Sequence, residues 1–187
     1  QNNKKLLTLL IAGSLPIIIV GYFLYNTELI YLLRDVKIIA WTTIIFGIVL
    51  YIADKNKFTK NINSNLDLKA ILYIGFFQTL ALIPGVSRAG ITITAGRFLK
   101  FNRFDASKIS FLLSIPALAG ASVLSLKDIF QQSFEFNYFV LIAISLSFFF
   151  SYITVKFFLD YINKFSLNIF VVYRMVLGII LFIMIYN

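Results

Sequence analysis

The 187-residue chain contains no cysteine and no histidine. Without cysteine it can form neither disulfides nor thiolate nucleophiles nor cysteine metal sites. Without histidine, its own residues cannot supply an imidazole general base or a phosphohistidine. Charged residues are also scarce, at 13% against 60% hydrophobic residues. This balance excludes an ordinary soluble domain.

Apolar runs of membrane-spanning length recur along the chain and predict an all-α polytopic membrane protein, built as one transmembrane domain over residues 1–187. The runs are too long and too uniformly apolar for the strands of a membrane β-barrel, which alternate polar and apolar residues. The predicted segments are 6–25, 36–53, 69–83, 106–126, 136–159 and 169–186.

The formal charge of +9 does not indicate nucleic-acid binding, because lysine and arginine lie mainly in short loops beside the apolar runs. That placement is typical of cytoplasmic loops of membrane proteins. We therefore expect membrane lipids as partners and no nucleic acid. A homo-oligomer is compatible with the sequence, which leaves the oligomeric state open.

Segment 69–83 is too short to cross a bilayer, since as a helix it covers only roughly 22 Å. It ends at Pro84-Gly85, and a second short piece follows at 91–99. The pair is either one interrupted span or a re-entrant hairpin over about 69–99. In the hairpin topology the Lys-rich loop 54–69 and the basic cluster 97–108 lie on the same side, which the positive-inside rule favours.

The predicted hairpin tip carries the residue types of an oxyanion site. An arginine at mid-membrane depth, Arg88, should face a cavity or a fixed partner, and its guanidinium fork suits two phosphate oxygens. Ser87 and Thr92 offer hydroxyls, while Gly85 and Gly90 let backbone N–H groups approach a ligand closely. The positive end of helix 91–99 would point at the same place.

Each of these residues also has a structural alternative. The tip can be a plain helix break, Arg88 can pair with a carboxylate on another helix, and Ser87 can hydrogen-bond its own helix. Gln78 could line the cavity or form an interhelical hydrogen bond. Arg174 could bind phosphate or extend to the cytoplasmic interface, and a structural role or one that supports the site indirectly is favoured. No acidic residue lies well inside a span, so the chain shows a phosphate cradle without an evident base.

Several stretches resemble the bacterial undecaprenyl-diphosphatase family of the bacitracin-resistance type. The most specific is GFFQTLALIPGVSRAGIT at 75–92, followed by SFLLSIPALAGA at 110–121 and YRMVLG at 173–178. A weaker similarity covers GSLPIIIVG at 13–21. The stretches occur in the family's order and span most of the chain.

The resemblance implies a helical fold with inverted repeats and two re-entrant hairpins that meet near mid-membrane. It implies a plasma-membrane hydrolase that converts undecaprenyl diphosphate to the monophosphate and so recycles the lipid carrier of cell-wall precursors. In the family, the arginine that matches Arg88 binds phosphate, the serine that matches Ser87 is implicated in catalysis, and the threonine that matches Thr92 lines the pocket. Members usually need a divalent cation, magnesium or calcium.

The chain departs from the family pattern in two respects. Nothing in it matches the Glu-rich motif and histidine of the family's first repeat, so it looks like the C-terminal two-thirds of a member. Because the resemblance assigns the cation ligands or the general base to those glutamates, we expect the ligands of the cation to lie outside this chain, which leaves the activity of the chain by itself open. Ala89 stands where the family commonly has serine, which removes one hydroxyl from the cradle. A lipid-phosphate transporter or flippase and a non-catalytic membrane subunit are the alternative functions, since broken helices are also a transporter feature.

Overall fold

The computed structural model describes residues 3–27, 33–131 and 138–186, and within them the chain is helical. The helices are α1 (Asn3–Thr27), α2 (Val36–Asp54), α3 (Ile62–Asn65), α4 (Leu68–Thr79), which continues as a 3₁₀ turn (Leu80–Leu82), α5 (Arg88–Phe98), α6 (Arg103–Gln131), α7 (Tyr138–Lys164) and α8 (Asn168–Tyr186).

The all-α polytopic prediction is confirmed. Five helices, α1, α2, α6, α7 and α8, are long and apolar enough to cross a membrane, and α4 with its 3₁₀ turn forms the one shorter apolar helix found in the described part of the chain. Residues 136 and 137, at the predicted start of the segment that became α7, lie outside the described residues. Many large apolar side chains of α1, α2, α7 and α8 are exposed, as lipid-facing surfaces require.

Helices α4 and α5 form a hairpin. The backbone N–H groups of Thr59 and Lys60 both donate to the carbonyl of Lys100, at 3.0 and 3.1 Å, and the N–H of Asn102 donates to the carbonyl of Lys60. The chain therefore leaves the hairpin at the same end at which it enters. This is the geometry that the predicted re-entrant topology requires; its depth and side in the membrane remain predictions.

Side-chain caps define where the hairpin helices begin. The Asp67 carboxylate accepts from the N–H of Ala70 at 2.8 Å and so caps α4, while Ser87 Oγ accepts from the N–H of Gly90 and caps α5. Helix α5 thus begins at Arg88, three residues before the predicted Ile91, because Ser87 supplies a cap that apolar periodicity does not reveal.

The core surrounds the hairpin. Residues 91–97 of α5 are all buried, because α2, α4 and α6 pack around this helix. Ile71 and Ile74 of α4 and Ile109 and Leu113 of α6 are fully buried in the same cluster. Helix α5 is consequently held from several sides, which favours a precisely positioned site at the residue where it begins.

Candidate functional site

The loop between the 3₁₀ turn and α5 is pressed against α2. Thr42 Oγ1 donates to the carbonyl of Pro84 at 2.6 Å. Gly85 has a φ of +89°, and a Cβ there would collide with Thr42 Oγ1 and lie 2.7 Å from the carbonyl of Ile39. Only glycine can adopt this backbone conformation and fit the available space, so Gly85 allows the loop to approach α2 closely.

Arg174 of α8 holds the same loop through its backbone carbonyls. Its Nη2 donates to the carbonyl of Gly85 at 2.7 Å, its Nη1 to that of Val86 at 2.9 Å, and its Nε to that of Thr43 at 3.2 Å. The residue is only 7% exposed. The guanidinium thus lies at the hairpin tip, where it also lines the adjacent cavity.

Ser87 has an unusual backbone conformation, with φ +65° and ψ 113°. Such a conformation is costly for a non-glycine residue and persists only where the surroundings impose it. The carbonyl of Val86 points at Arg174, so the planar trans peptide directs the N–H of Ser87 away from that cation. The Ser87 side chain is exposed and lines the cavity.

Arg88 is the first residue of α5 and is half-buried. Its Nη1 donates to the carbonyl of Ser114 on α6 at 3.4 Å, the long limit of a hydrogen bond. Among the described residues, the ion pairs involve Asp54 with Arg97 and Arg103, and none involves Arg88. The structural alternative of a carboxylate partner for Arg88 is therefore not found in this part of the chain.

Thr92 lies one helical turn after Arg88 and faces α6. Its Oγ1 is 2.7 Å from Ser110 Oγ and within 2.9 Å of the carbonyl of Arg88. The residue is 1% exposed. Thr92 therefore links α5 to α6, and a ligand would reach its hydroxyl only from between these two helices.

Gln78 of α4 is fully buried, and neither its Oε1 nor its Nε2 has a hydrogen-bond partner among the described residues. The residue is not among those that line the cavity at the loop. Leaving a buried amide unsatisfied costs about 1–3 kcal/mol per group, so Gln78 is an energetically costly choice at this position.

A cavity of about 500 Å³ lies between α2, α5, α7 and α8, next to the loop. At the hairpin tip it is bordered by Gly85, Ser87, Gly90 and Arg174; at the other end by the apolar side chains of Leu50, Phe158, Leu167 and Phe170. The cavity is therefore polar at the loop and apolar beyond it.

The structure thus brings Gly85, Ser87, Gly90 and Arg174 together on the cavity, while Arg88 and Thr92 contact α6 and Gln78 lies buried in α4. Sequence reasoning did not single out Thr42 and Thr43, whose hydroxyls donate to the loop, or Ser114, whose carbonyl accepts from Arg88. The signal available was a pair of adjacent hydroxyl residues inside the otherwise apolar segment 36–53.

The described residues do not offer a metal site. No group of three or more aspartate or glutamate side chains lies close enough to hold an ion in the described ranges. The two buried carboxylates found there, Asp54 and Asp105, lie at the other end of the hairpin. Asp54 accepts hydrogen bonds from an arginine, and Asp105 accepts them from a backbone N–H and an asparagine amide. The residues at the tip are hydroxyls, glycines and arginines, a donor set for anions rather than cations.

Comparison with known proteins places these features in a family context. The family model described as "Bacitracin resistance protein BacA" matches residues 1–180. An undecaprenyl-diphosphatase of Pelagibacter ubique (strain HTCC1062) is 71% identical, over 100% of this chain and 73% of its own length. An undecaprenyl-diphosphatase of Elusimicrobium minutum (strain Pei191) is 43% identical over 96% of this chain and 67% of its own, and one of Jannaschia sp. (strain CCS1) is 38% identical over 98% and 69%.

Proposed function

This chain belongs to the bacitracin resistance protein BacA family, and from that membership we infer that it is an undecaprenyl-diphosphatase. It is a membrane hydrolase that cleaves the anhydride bond of undecaprenyl diphosphate, which yields undecaprenyl phosphate and inorganic phosphate. The reaction recycles the lipid carrier of cell-wall precursors. We place it in the bacterial plasma membrane, where this carrier is used.

Arg88 is the residue on which the site assignment depends. It is a permanent cation on a short helix in the interior of a membrane protein, and it has no carboxylate partner among the described residues. Such a charge is costly in a membrane unless it faces an anion or a water-filled cavity. We propose that Arg88 binds the terminal phosphate of the substrate through its guanidinium fork.

The backbone around Arg88 supports the same ligand. Helix α5 begins at this residue, so its positive dipole end lies at the loop. The N–H of Gly90 donates to Ser87 Oγ, which leaves the N–H groups of Arg88 and Ala89 without partners within the helix. These groups, with Arg88, would stabilise the charge that develops on the phosphoryl oxygens as the anhydride bond breaks. Gly90 keeps a side chain away from this surface, because a Cβ there would lie 2.9 Å from Arg174 Nη1, and Thr92 anchors the helix to α6.

Ser87 is the hydroxyl best placed for contact with the reacting phosphate, because it is exposed on the loop beside the first turn of α5. Two roles fit this position: a nucleophile that is phosphorylated and then hydrolysed, or a group that orients the attacking water. Both need a general base, and among the described residues no acidic side chain lines the cavity that Ser87 borders. The base is therefore not assigned to a residue of the described part.

A requirement for magnesium or calcium remains a prediction from the family resemblance. Because the described residues do not fit a cation site, no step of the proposed chemistry is routed through the ion. The residues described here bind and orient the phosphate.

The proposal is tested by release of inorganic phosphate from undecaprenyl diphosphate by the purified protein in detergent micelles. Micelles have no compartments, so a transporter or flippase gives no product, whereas a diphosphatase gives one phosphate for each lipid monophosphate. We expect Arg88→Gln to lower the rate by at least about a hundredfold, the usual effect of removing one donor to a developing charge. Lys108→Gln, an exposed cation on α6, is the matched control and should be unchanged. Lack of product from the full-length unaltered protein refutes the proposed function.

A further inference from the structure

A buried ion cluster lies at the open end of the hairpin, remote from the loop. The Asp54 carboxylate, whose side chain is 4% exposed, accepts from Nε and Nη2 of Arg103 at 2.8 and 2.9 Å. Arg97 Nε lies 3.3 Å from the same carboxylate. The N–H of Leu167 also donates to it, at 3.4 Å. One side chain thus connects the end of α2, the end of α5, the start of α6 and the residue before α8.

Arg97 adds three hydrogen bonds to backbone carbonyls. Its Nη2 donates to the carbonyls of Asp54 and Asn56 at 2.9 and 2.6 Å, and its Nη1 to that of Phe101 at 2.6 Å. These carbonyls lie at or just beyond the C-terminal ends of α2 and α5, where the helix dipoles are negative. A single guanidinium therefore neutralises the partial negative charge at the ends of two helices and connects these ends to each other.

We propose that Asp54, Arg97 and Arg103, here called the clamp, are positioning residues for the phosphate site at the other end of α5. The proposal rests on the diphosphatase function inferred above and assigns no contact with substrate to these residues. From Arg97 to Arg88 the helix extends roughly 14 Å, at about 1.5 Å per residue. Residues 91–97 of α5 are buried, so the helix moves as one rigid element, and the position of its clamped end determines the position of Ser87 and Arg88.

The chemistry of the clamp indicates that it fixes the position of α5 rather than raising the stability of the protein. A buried ion pair is often no more stabilising than apolar residues of the same volume, because both charges lose their hydration. Its planar donors do impose directions, however, and Arg97 uses them on acceptors from two helices at once. Lysine, a point charge on a flexible stem, cannot satisfy the same set. The clamp thus sets the depth and tilt of α5 to within hydrogen-bond tolerances.

The kinetic test is Arg97→Lys, which keeps the charge and loses the fork. We expect kcat for undecaprenyl diphosphate to fall at least about tenfold, because small misplacements of reacting groups are costly, with KM within about twofold of the unaltered value. Lys108→Gln is again the control. Should Arg97→Lys not fold, Arg103→Gln serves instead, since the Arg103 side chain is 38% exposed and its loss leaves Arg97 in place. Unchanged kcat in a folded variant overturns the proposal.

A distance measurement separates positioning from general loss of stability. The chain has no cysteine, so spin labels can be placed at introduced cysteines without other changes. Labels at Phe76 of α4 and Trp41 of α2, which are 64% and 57% exposed, measure the distance between the hairpin and α2. Labels at Ile45 of α2 and Ile180 of α8 measure the distance between two helices outside the hairpin. With Arg97→Lys, the first distance distribution should broaden or shift while the second stays unchanged. If both stay unchanged, the clamp does not position the hairpin; this result is obtained even if the unaltered protein hydrolyses nothing.

Discussion

Replacing Arg174 with methionine removes the cation that holds the hairpin tip. The guanidinium donates to three backbone carbonyls at 2.7, 2.9 and 3.2 Å and is 7% exposed. A hydrogen bond from a charged donor contributes about 1.5–3 kcal/mol, and each carbonyl left buried without a partner costs a similar amount. The Gly85 carbonyl keeps a second donor, Thr43 Oγ1 at 3.4 Å, which offsets part of the loss. We therefore expect the free energy of unfolding to fall by about 3–5 kcal/mol.

The assay is reversible unfolding of the purified protein in mixed detergent micelles, followed by fluorescence. The chain has a single tryptophan, Trp41, whose ring contacts Phe182 of α8 with centroids 5.0 Å apart, so its emission reports separation of α2 and α8. Arg174→Lys keeps the charge and can reach fewer of the carbonyls, so its free energy of unfolding should lie between those of the unaltered protein and Arg174→Met. A loss below about 1 kcal/mol for Arg174→Met, or equal stability of the lysine variant and the unaltered protein, would refute this account of the tip.

Three further outcomes are expected. Gly75→Ala should destabilise the protein by about 1–3 kcal/mol, because the added Cβ collides with the carbonyl of Gly13 on α1. Gly21→Ala is the control and should change the stability little, because its Cβ makes only an ordinary van der Waals contact. Equal effects of the two substitutions would contradict the packing of α4 against α1. Thr92→Val should cost about 1 kcal/mol through loss of the hydrogen bond to Ser110, and a double-mutant cycle with Ser110→Ala should show coupling; additive effects would refute the pair. Phosphate release should stop with a chelator and return with magnesium or calcium; activity that persists in excess chelator would remove the cation from the requirement.

The transmembrane architecture was predictable because it depends on local composition. The five long apolar segments became helices, and the break at Pro84-Gly85 together with the lysine distribution predicted a hairpin whose ends meet. Helix α5 begins earlier than predicted because its cap depends on the positive φ of Ser87, a conformation imposed by Arg174 and α2. Such a conformation has no signature in the local sequence.

The long-range polar contacts were not predictable. Arg97 was grouped with loop cations from its position in a basic cluster, yet it is 2% exposed, because a carboxylate 43 residues earlier in the chain is folded against it. From the sequence, Arg174 could be assigned to phosphate binding, to the membrane interface or to a structural role. Two of its three acceptors are carbonyls in a loop nearly 90 residues away. Pairings of this kind follow from the fold and cannot be obtained from spacing alone.

The central claim is that Arg88 is retained in the membrane interior because an anionic headgroup binds to it. The most direct test is the affinity of a non-hydrolysable polyprenyl diphosphonate for the unaltered protein and for Arg88→Gln, measured by calorimetry in the same detergent. The account predicts a loss of affinity of about a hundredfold for Arg88→Gln, as expected for a charged hydrogen-bonding pair in a partly dehydrated site, and no loss for Lys108→Gln. Equal affinities of the unaltered and Arg88→Gln proteins would contradict it.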